Sequence, residues 1–247
     1  MAENRWDYTE LAKHYDKRGD YSDEALDQLL AITRPDLEYP IADIGAGTGK
    51  LSRPLLARGY RVLAVEPNAA MRECGVRNTV GQSITWSVGT GERTGLPARC
   101  AELVTFGSSF NVTDRKATLK EVARIARPRG WFACMWNHRD LDDDIQRLCE
   151  QVILEHLPSY QYGSRREDQT DVIRDSGLFE EPRAFEGRTV HSMPLADFMD
   201  AWRSHATLQR QAGAAFPVIV SGIEAALKGR SKVDVPYTTR VWCARLK

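Results

Sequence analysis

What this 247-residue chain lacks narrows its chemistry before any motif is read. It lacks a charge surplus, since Lys plus Arg and Asp plus Glu each number 34. Binders of nucleic acid usually carry a basic excess, so nucleic acid is not an expected partner. It also lacks a cysteine framework. Cys74, Cys100, Cys134, Cys149 and Cys243 are odd in number, scattered and without a C-x-x-C pair. That pattern argues against disulfides and against a zinc site, so no metal is expected and a reducing cytoplasm is the expected location. Long apolar runs are missing as well. The opening "MAENRWDYTE" is polar and no stretch approaches a membrane span, so neither a targeting segment nor a membrane partner is expected. Repeats and low-complexity tracts are absent too, which leaves one large domain, or a core with insertions, as the expected organisation.

What is present is an alternation. The first forty residues read as helical, with Leu11, Tyr15, Ala25, Leu26, Leu29 and Leu30 as apolar contacts and a break at Gly19-Asp20. Then come "IADIG", a helix near 50–58, "RVLAVEP", a helix from about Ala69, "SITWSV", "AELVTFGSS", a helix over 115–127 and "GWFACMWN". Strands alternating with helices mean a parallel sheet with crossover helices, an α/β doubly wound class. In "TLKEVARIARPRG" the residues Leu119, Val122, Ile125 and Ala126 recur at helical spacing and form a sheet-facing stripe, with Pro128 and Gly130 as the stop. Further helices, a strand near 183–192 and a last strand "YTTRVWCARL" complete the chain.

The stretch "YPIADIGAGTGKLSRPLL" sits at a strand-to-helix turn and packs three glycines at alternate positions. A Walker loop would need glycine at Ile44 and a hydroxyl at Leu51, and a dinucleotide loop would need its third glycine at Lys50. What remains is D-x-G-x-G-x-G, Asp43 to Gly49. A turn without Cβ atoms lets backbone approach a ligand, and the helix that follows turns its positive end outward. Glu66 stands at the end of the second strand, at the spacing where a carboxylate accepts ribose hydroxyls from either an NAD-like or a SAM-like nucleoside.

From about Tyr8 to Asp140 the chain resembles the type 11 group of class I S-adenosylmethionine (SAM)-dependent methyltransferases. The motifs are "DIGAGTGKL", "AVEPNAAM", "GTGERTGLP", "ELVTFGSSF" and "EVARIARPRGWF", in that order, and "VPYTTRVWCARL" is similar to the group's final strand. The resemblance implies a Rossmann-like, seven-stranded, mostly parallel sheet with an antiparallel last strand and a helical cap. It divides the chain into an N-terminal cap (1–38), a SAM-binding core (39–140), lid insertions (141–182 and 193–232) and a final strand (233–247). It further implies that Asp43, Gly45, Ala46 and Gly47 hold the methionine end, with Asp43 facing the α-ammonium group. Glu66 would hold the ribose, Pro67 and Met71 would flank the adenine, Thr90, Gly91 and Glu92 would meet its edge, and Ser108 and Phe110 would lie near the methyl group. Two departures stand out. Asn111-Val112 replaces the His-Trp of many relatives, and Pro128-Arg129-Gly130 replaces Pro-Gly-Gly, which predicts backbone strain if Arg129 takes positive φ.

Candidate acid-base groups are few. His138, at the exit of the fifth strand, leads, with Tyr15 and Asn111 as further catalytic candidates; Asp16, Tyr8 and the other histidines are alternatives. "HRDL" mimics a kinase catalytic loop, but Ile145 stands where that loop needs asparagine. Tyr21, Asn137, Tyr160, Tyr162, Arg165, Trp202 and His205 are candidate substrate contacts, Trp202 and His205 being expected on one helix face. The expected activity is methyl transfer to O or N of a small molecule in specialised biosynthesis, yielding S-adenosylhomocysteine, with a homodimer allowed. A C-methyltransferase, an NAD-dependent oxidoreductase and a non-catalytic SAM binder remain alternatives.

Overall fold

The computed structural model describes residues 12–247, apart from the side chains of residues 12, 13, 164 and 165. Tyr8, Leu11 and the Arg165 side chain lie outside the described residues. One seven-stranded sheet organises the rest: β1 (Ile41–Ile44), β2 (Val62–Val65), β3 (Ile84–Ser87), β4 (Ala101–Gly107), β5 (Ala126–Arg139), β6 (Arg183–Pro194) and β7 (Lys232–Arg245), in the order β3-β2-β1-β4-β5-β7-β6. Strands β1 to β5 pair in parallel, and β7 runs antiparallel between β5 and β6. This is the expected doubly wound sheet with a reversed last strand.

Period-two patterning assigns the faces. In β5, Phe132, Cys134 and Trp136 enter one core with Leu119, Val122 and Ile125 of helix α5 (Arg115–Ile125). Ala133 and Met135 enter the opposite core with Leu26 and Leu29 of α2 (Asp23–Thr33) and Leu55 of α3 (Ser52–Ala57). Helices therefore cover both faces, as buried parallel strands require. A third core belongs to the cap, where Cys149 and Ile153 of α6 (Asp144–His156), Phe198 and Trp202 of α8 (Leu195–Arg203), Leu208 of α9 (Ala206–Ala212) and Ile219 and Ile223 of α10 (Phe216–Ala226) pack together. Strand β7 is long enough to serve two cores: Val233 and Val235 lie in the cap, Val241 and Cys243 under α2. The cap is thus built onto an extension of the sheet.

Boundaries shift where stop signals mislead. The α5 helix ends at Ile125, and the stop residues Pro128 and Gly130 lie inside β5, at a register shift between the pairs Ala101↔Ala126 and Leu103↔Trp131. Arg129 has φ 62 there, the strained conformation that its place in Pro-Arg-Gly predicts. An L-residue in that region loses about 1–2 kcal/mol, and a β-branched one more. Arg129→Gly is expected to melt about 4–8 °C above Arg129→Val in calorimetry, both variants having lost the exposed pair with Glu180.

Candidate functional site

The site forms at the carboxyl ends of the parallel strands, where open α/β sheets bind ligands. After β1 the chain turns through Gly45 (φ 68), Gly47 (φ 58) and Gly49 (φ 85). A Cβ on Gly45 would sit 2.5 Å from the Ser109 Cβ, so only glycine fits. Ser109 closes this corner by donating its hydroxyl to the Ile44 carbonyl at 2.6 Å, a role sequence patterning did not reveal. Glu66, 7% exposed at the end of β2, accepts the Gly47 N–H at 2.9 Å with one oxygen and the Asn68 N–H at 2.8 Å with the other. Burial raises its pKa above the ordinary carboxylate value, against those two hydrogen bonds. The Met71 side chain, on α4 (Ala69–Asn78), reaches within 3.2 Å of where a Gly47 Cβ would lie, and Tyr15 comes within 3.9 Å of it. Residues 66–71 and 90–92 follow β2 and β3 along the same edge, with Glu92 accepting the Asp114 N–H at 2.7 Å.

Asp43 is placed differently from the expectation that it faces a ligand directly. It is fully buried behind the loop and accepts from the Ser52 hydroxyl at 2.6 Å and the Thr105 hydroxyl at 3.3 Å. Burial pushes its pKa up to about 6. Period two explains the placement: Ala42 and Ile44 face the α5 side of the sheet, so Asp43 points to α3, whose first residue is Ser52.

A cavity of about 150 Å³ opens beside this loop, between the ends of β4 and β5 and the cap. Tyr15, Tyr21, Ser108, Asn111, Asn137, His138, Tyr162, Trp202 and His205, all expected from sequence, meet there. Ser108 takes φ 58 and shares a 3.0 Å hydrogen bond with the Tyr21 hydroxyl, whose phenol burial holds well above its usual range. Asn111 accepts the Trp136 indole N–H at 2.9 Å. Asn137 donates to the carbonyls of Gly19 and Asp20, tying the break in the N-terminal cap to β5. His138 is buried in the wall. The N-terminal segment is latched to the loop as well: Asp16 accepts from Thr48, Arg53 and Asn78 at 3.1–3.3 Å, so this carboxylate is a strap rather than a group facing the cavity.

Three expectations need correction. Phe110 is fully buried in a cluster with Phe106 and Phe132 at 5.1–5.5 Å, so its ring belongs to the sheet core and not to the ligand. Tyr160 packs in the cap core against Tyr162 and does not line the cavity. Trp202 and His205 do not share a helix: α8 ends at Arg203 and His205 caps α9, yet the two rings stack at 5.4 Å and 15°. Sequence reasoning passed over Arg18, Arg139 and Tyr237, which also line the cavity. Arg139 directly follows His138 in β5, so its position at a ligand-binding strand end was the available signal. Among the described residues no group of three or more His, Cys, Asp or Glu is placed to hold a metal, and no helix is long and apolar enough to cross a membrane.

Comparisons with known proteins agree with this geometry. Residues 42–134 match the family model described as "Methyltransferase domain", type 11. An uncharacterized methyltransferase of Mycobacterium tuberculosis is 35% identical over 50% of this chain and 48% of its own length. The chain thus spans about half the length of the curated relatives it first matches. A ubiquinone/menaquinone biosynthesis C-methyltransferase of Caulobacter vibrioides is 26% identical over 73% of this chain and 79% of its own. Among solved structures, a provisionally assigned type II methyltransferase from Anaeromyxobacter dehalogenans covers 92% of this chain and 98% of its own at TM-score 0.67 and 21% identity. A Haemonchus contortus phosphoethanolamine N-methyltransferase, solved with SAM, covers 99% of this chain and 58% of its own at TM-score 0.56 and 14% identity. These last two share the fold. The glycine turn at 45–49 lies inside the segment 42–134, and that segment belongs to the methyltransferase domain family.

Proposed function

We propose that this protein transfers a methyl group from SAM to an O or N atom of a small molecule, as a cytoplasmic enzyme of specialised biosynthesis with no nucleic-acid or membrane partner. The observation that carries the reading is adjacency: the glycine loop held by Glu66 borders a capped cavity of about 150 Å³ whose wall begins at Lys50 and Ser108. The loop fits SAM because its backbone cradle is one a Cβ would fill, and because the carboxylates Asp43 and Glu66 suit a ligand with an ammonium group and a vicinal diol. Gly45, Ala46 and Gly47 would then hold the methionine end, with Asp43 supplying charge from behind. Glu66 would take the ribose, Pro67 and Met71 the adenine faces, and Thr90, Gly91 and Glu92 its edge. When bound, SAM supplies an electrophilic methyl on a sulfonium.

The chain's own residues do the rest. Tyr21 and Ser108 form the boundary between loop and cavity, and the cap strapped through Asp16 and Asn137 keeps water from the acceptor. His138 accepts the proton that an O–H or N–H acceptor releases, while Tyr15 and Asn111 position the acceptor. A C-methyltransferase is the second reading, favoured by the similarity to the Caulobacter protein over 73% of this chain.

Isothermal titration with S-adenosylhomocysteine, followed by transfer of labelled methyl from SAM into small molecules, tests the reading. Binding and transfer are expected, with His138→Gln lowering kcat about 100-fold. Unchanged turnover of that variant across pH would remove His138 from the mechanism. Binding without transfer to any acceptor would leave a SAM-binding protein, and hydride transfer from NADH without S-adenosylhomocysteine binding would leave an oxidoreductase. The position of the methyl group in the product, read by NMR, separates O and N from C.

A further inference from the structure

The cavity is one-sided in charge. Among the described residues that line it, Arg18, Lys50, Arg139 and Arg166 are cationic and none is aspartate or glutamate. Two of these form no ion pair with a carboxylate among the described residues, and Glu150 acts on Arg166 only through its field. Arg18 is held by Ser204, through its hydroxyl at 2.9 Å and its carbonyl at 2.6 Å, and Arg166 stacks 3.5 Å over the Tyr162 ring. Arg139 is more telling. Its side chain is 9% exposed, and Nη2 bonds Glu150 and the Tyr162 hydroxyl. Its Nη1 is buried and has no hydrogen-bond acceptor among the described residues. A buried donor left unmet costs about 1–3 kcal/mol, more when it is charged. An oxygen in the cavity that Arg139 lines would remove the penalty after a small turn of the guanidinium toward it.

The neighbours of Arg139 select the shape of such a ligand. Its guanidinium lies 4.9 Å from the Trp202 ring, and Trp202 stacks on His205. Arg139 and Arg166 share the Tyr162 ring, at 5.6 and 3.5 Å. Flat apolar walls thus converge on two forked cations, an arrangement suited to a planar ring that carries a planar anion. Glu150 already balances one of the two charges, so one negative charge on the ligand is enough. Position follows from the strand. The Ser108 N–H bonds the Met135 carbonyl, and Arg139 lies four residues further along β5, about 13 Å away at the rise of a strand.

We propose that the cavity binds a small planar carboxylic acid, its carboxylate on Arg139 and Arg166 at the end away from the glycine loop. The atom that accepts the methyl group is then a different one, at the Ser108 end. That second statement rests on the methyltransferase reading; the anion site does not.

Benzoate and its neutral counterpart benzamide are the probes, both near the size that a cavity of this volume holds. They are titrated into the full chain, with and without saturating S-adenosylhomocysteine, while NMR follows the tryptophan indole signals. Saturable benzoate binding at least ten-fold tighter than benzamide is expected. Arg166→Gln should remove that preference, Arg166→Lys should keep part of it, and neither should alter S-adenosylhomocysteine affinity. Equal binding of the two probes, no saturable benzoate binding, or full preference in Arg166→Gln would overturn the proposal. Because S-adenosylhomocysteine binding is read separately, loss of the anion site leaves the methyltransferase reading standing, and the reverse holds too.

Discussion

Replacing Glu66 with alanine is expected to weaken S-adenosylhomocysteine binding by about 100-fold or more while the protein still folds. A carboxylate hydrogen bond to a ligand hydroxyl is worth about 1.5–3 kcal/mol, and a vicinal diol can donate two, so the combined loss exceeds two decades in the dissociation constant. The structure adds a second cause. One Glu66 oxygen pins the Gly47 N–H, so truncation also frees the glycine loop from the end of β2. Stability should change much less, because burial raises the Glu66 pKa and removing a buried charge offsets part of the lost bonding. Glu66→Gln, which can accept with one oxygen only, should fall between the two proteins at about a ten-fold loss. Titration calorimetry reads the affinity and thermal melting reads the fold; an unchanged dissociation constant in a folded Glu66→Ala protein would remove this residue from the cofactor site.

How much of this was visible in the sequence differs by level. The alternation of strands and helices was legible because each apolar run is bounded by glycine, proline or a polar turn, and the Leu119, Val122 and Ile125 stripe does face the sheet. Positions fixed by long-range packing were not. Phe110 reads by resemblance as a neighbour of the methyl group and Tyr160 as a substrate contact, yet each fills a core that sequence spacing cannot delimit. Pro128 and Gly130 signal a helix stop, but β5 runs on through them, its β4 pairing breaking after Ala126 and resuming at Trp131, with Arg129 at positive φ in between. Trp202 and His205 meet by stacking across a helix break, so the expected neighbours were right and the expected element was wrong. Arg139 was the largest omission, because a cation beside a lead histidine looks like solvated surface until a cap of four helices closes over it.

Asp43→Asn should separate stability from ligand affinity through pH. Burial raises the Asp43 carboxyl from an ordinary 3.8 to about 6, outweighing the hydroxyls of Ser52 and Thr105, which pull it down. The folded chain therefore keeps this proton at pH values where the unfolded chain has lost it. Between about pH 4 and pH 6 the folded state binds more protons, so the contribution of Asp43 to stability falls as pH rises through that window. A shift of about two units corresponds to about 3 kcal/mol. Asparagine has no proton to lose, and its amide can meet the same two hydroxyls, which both donate and accept. Stability of the variant relative to the parent should thus grow by up to about 3 kcal/mol from pH 4 to pH 7 in denaturant titrations. Glu121, held at about 2 by Arg124, has the opposite sign of pH dependence but is common to both proteins and cancels. Ligand affinity should move the other way. A buried carboxylate charge acts over several ångströms on an ammonium group, so S-adenosylhomocysteine should bind the variant about 10-fold or more weakly at pH 7.5. That deficit should shrink below pH 6, where the parent's own carboxyl takes up its proton. A stability difference that stays flat from pH 4 to pH 7 would show that Asp43 is not held in its raised state, and an affinity difference that ignores pH would show that its charge is not what the ligand feels.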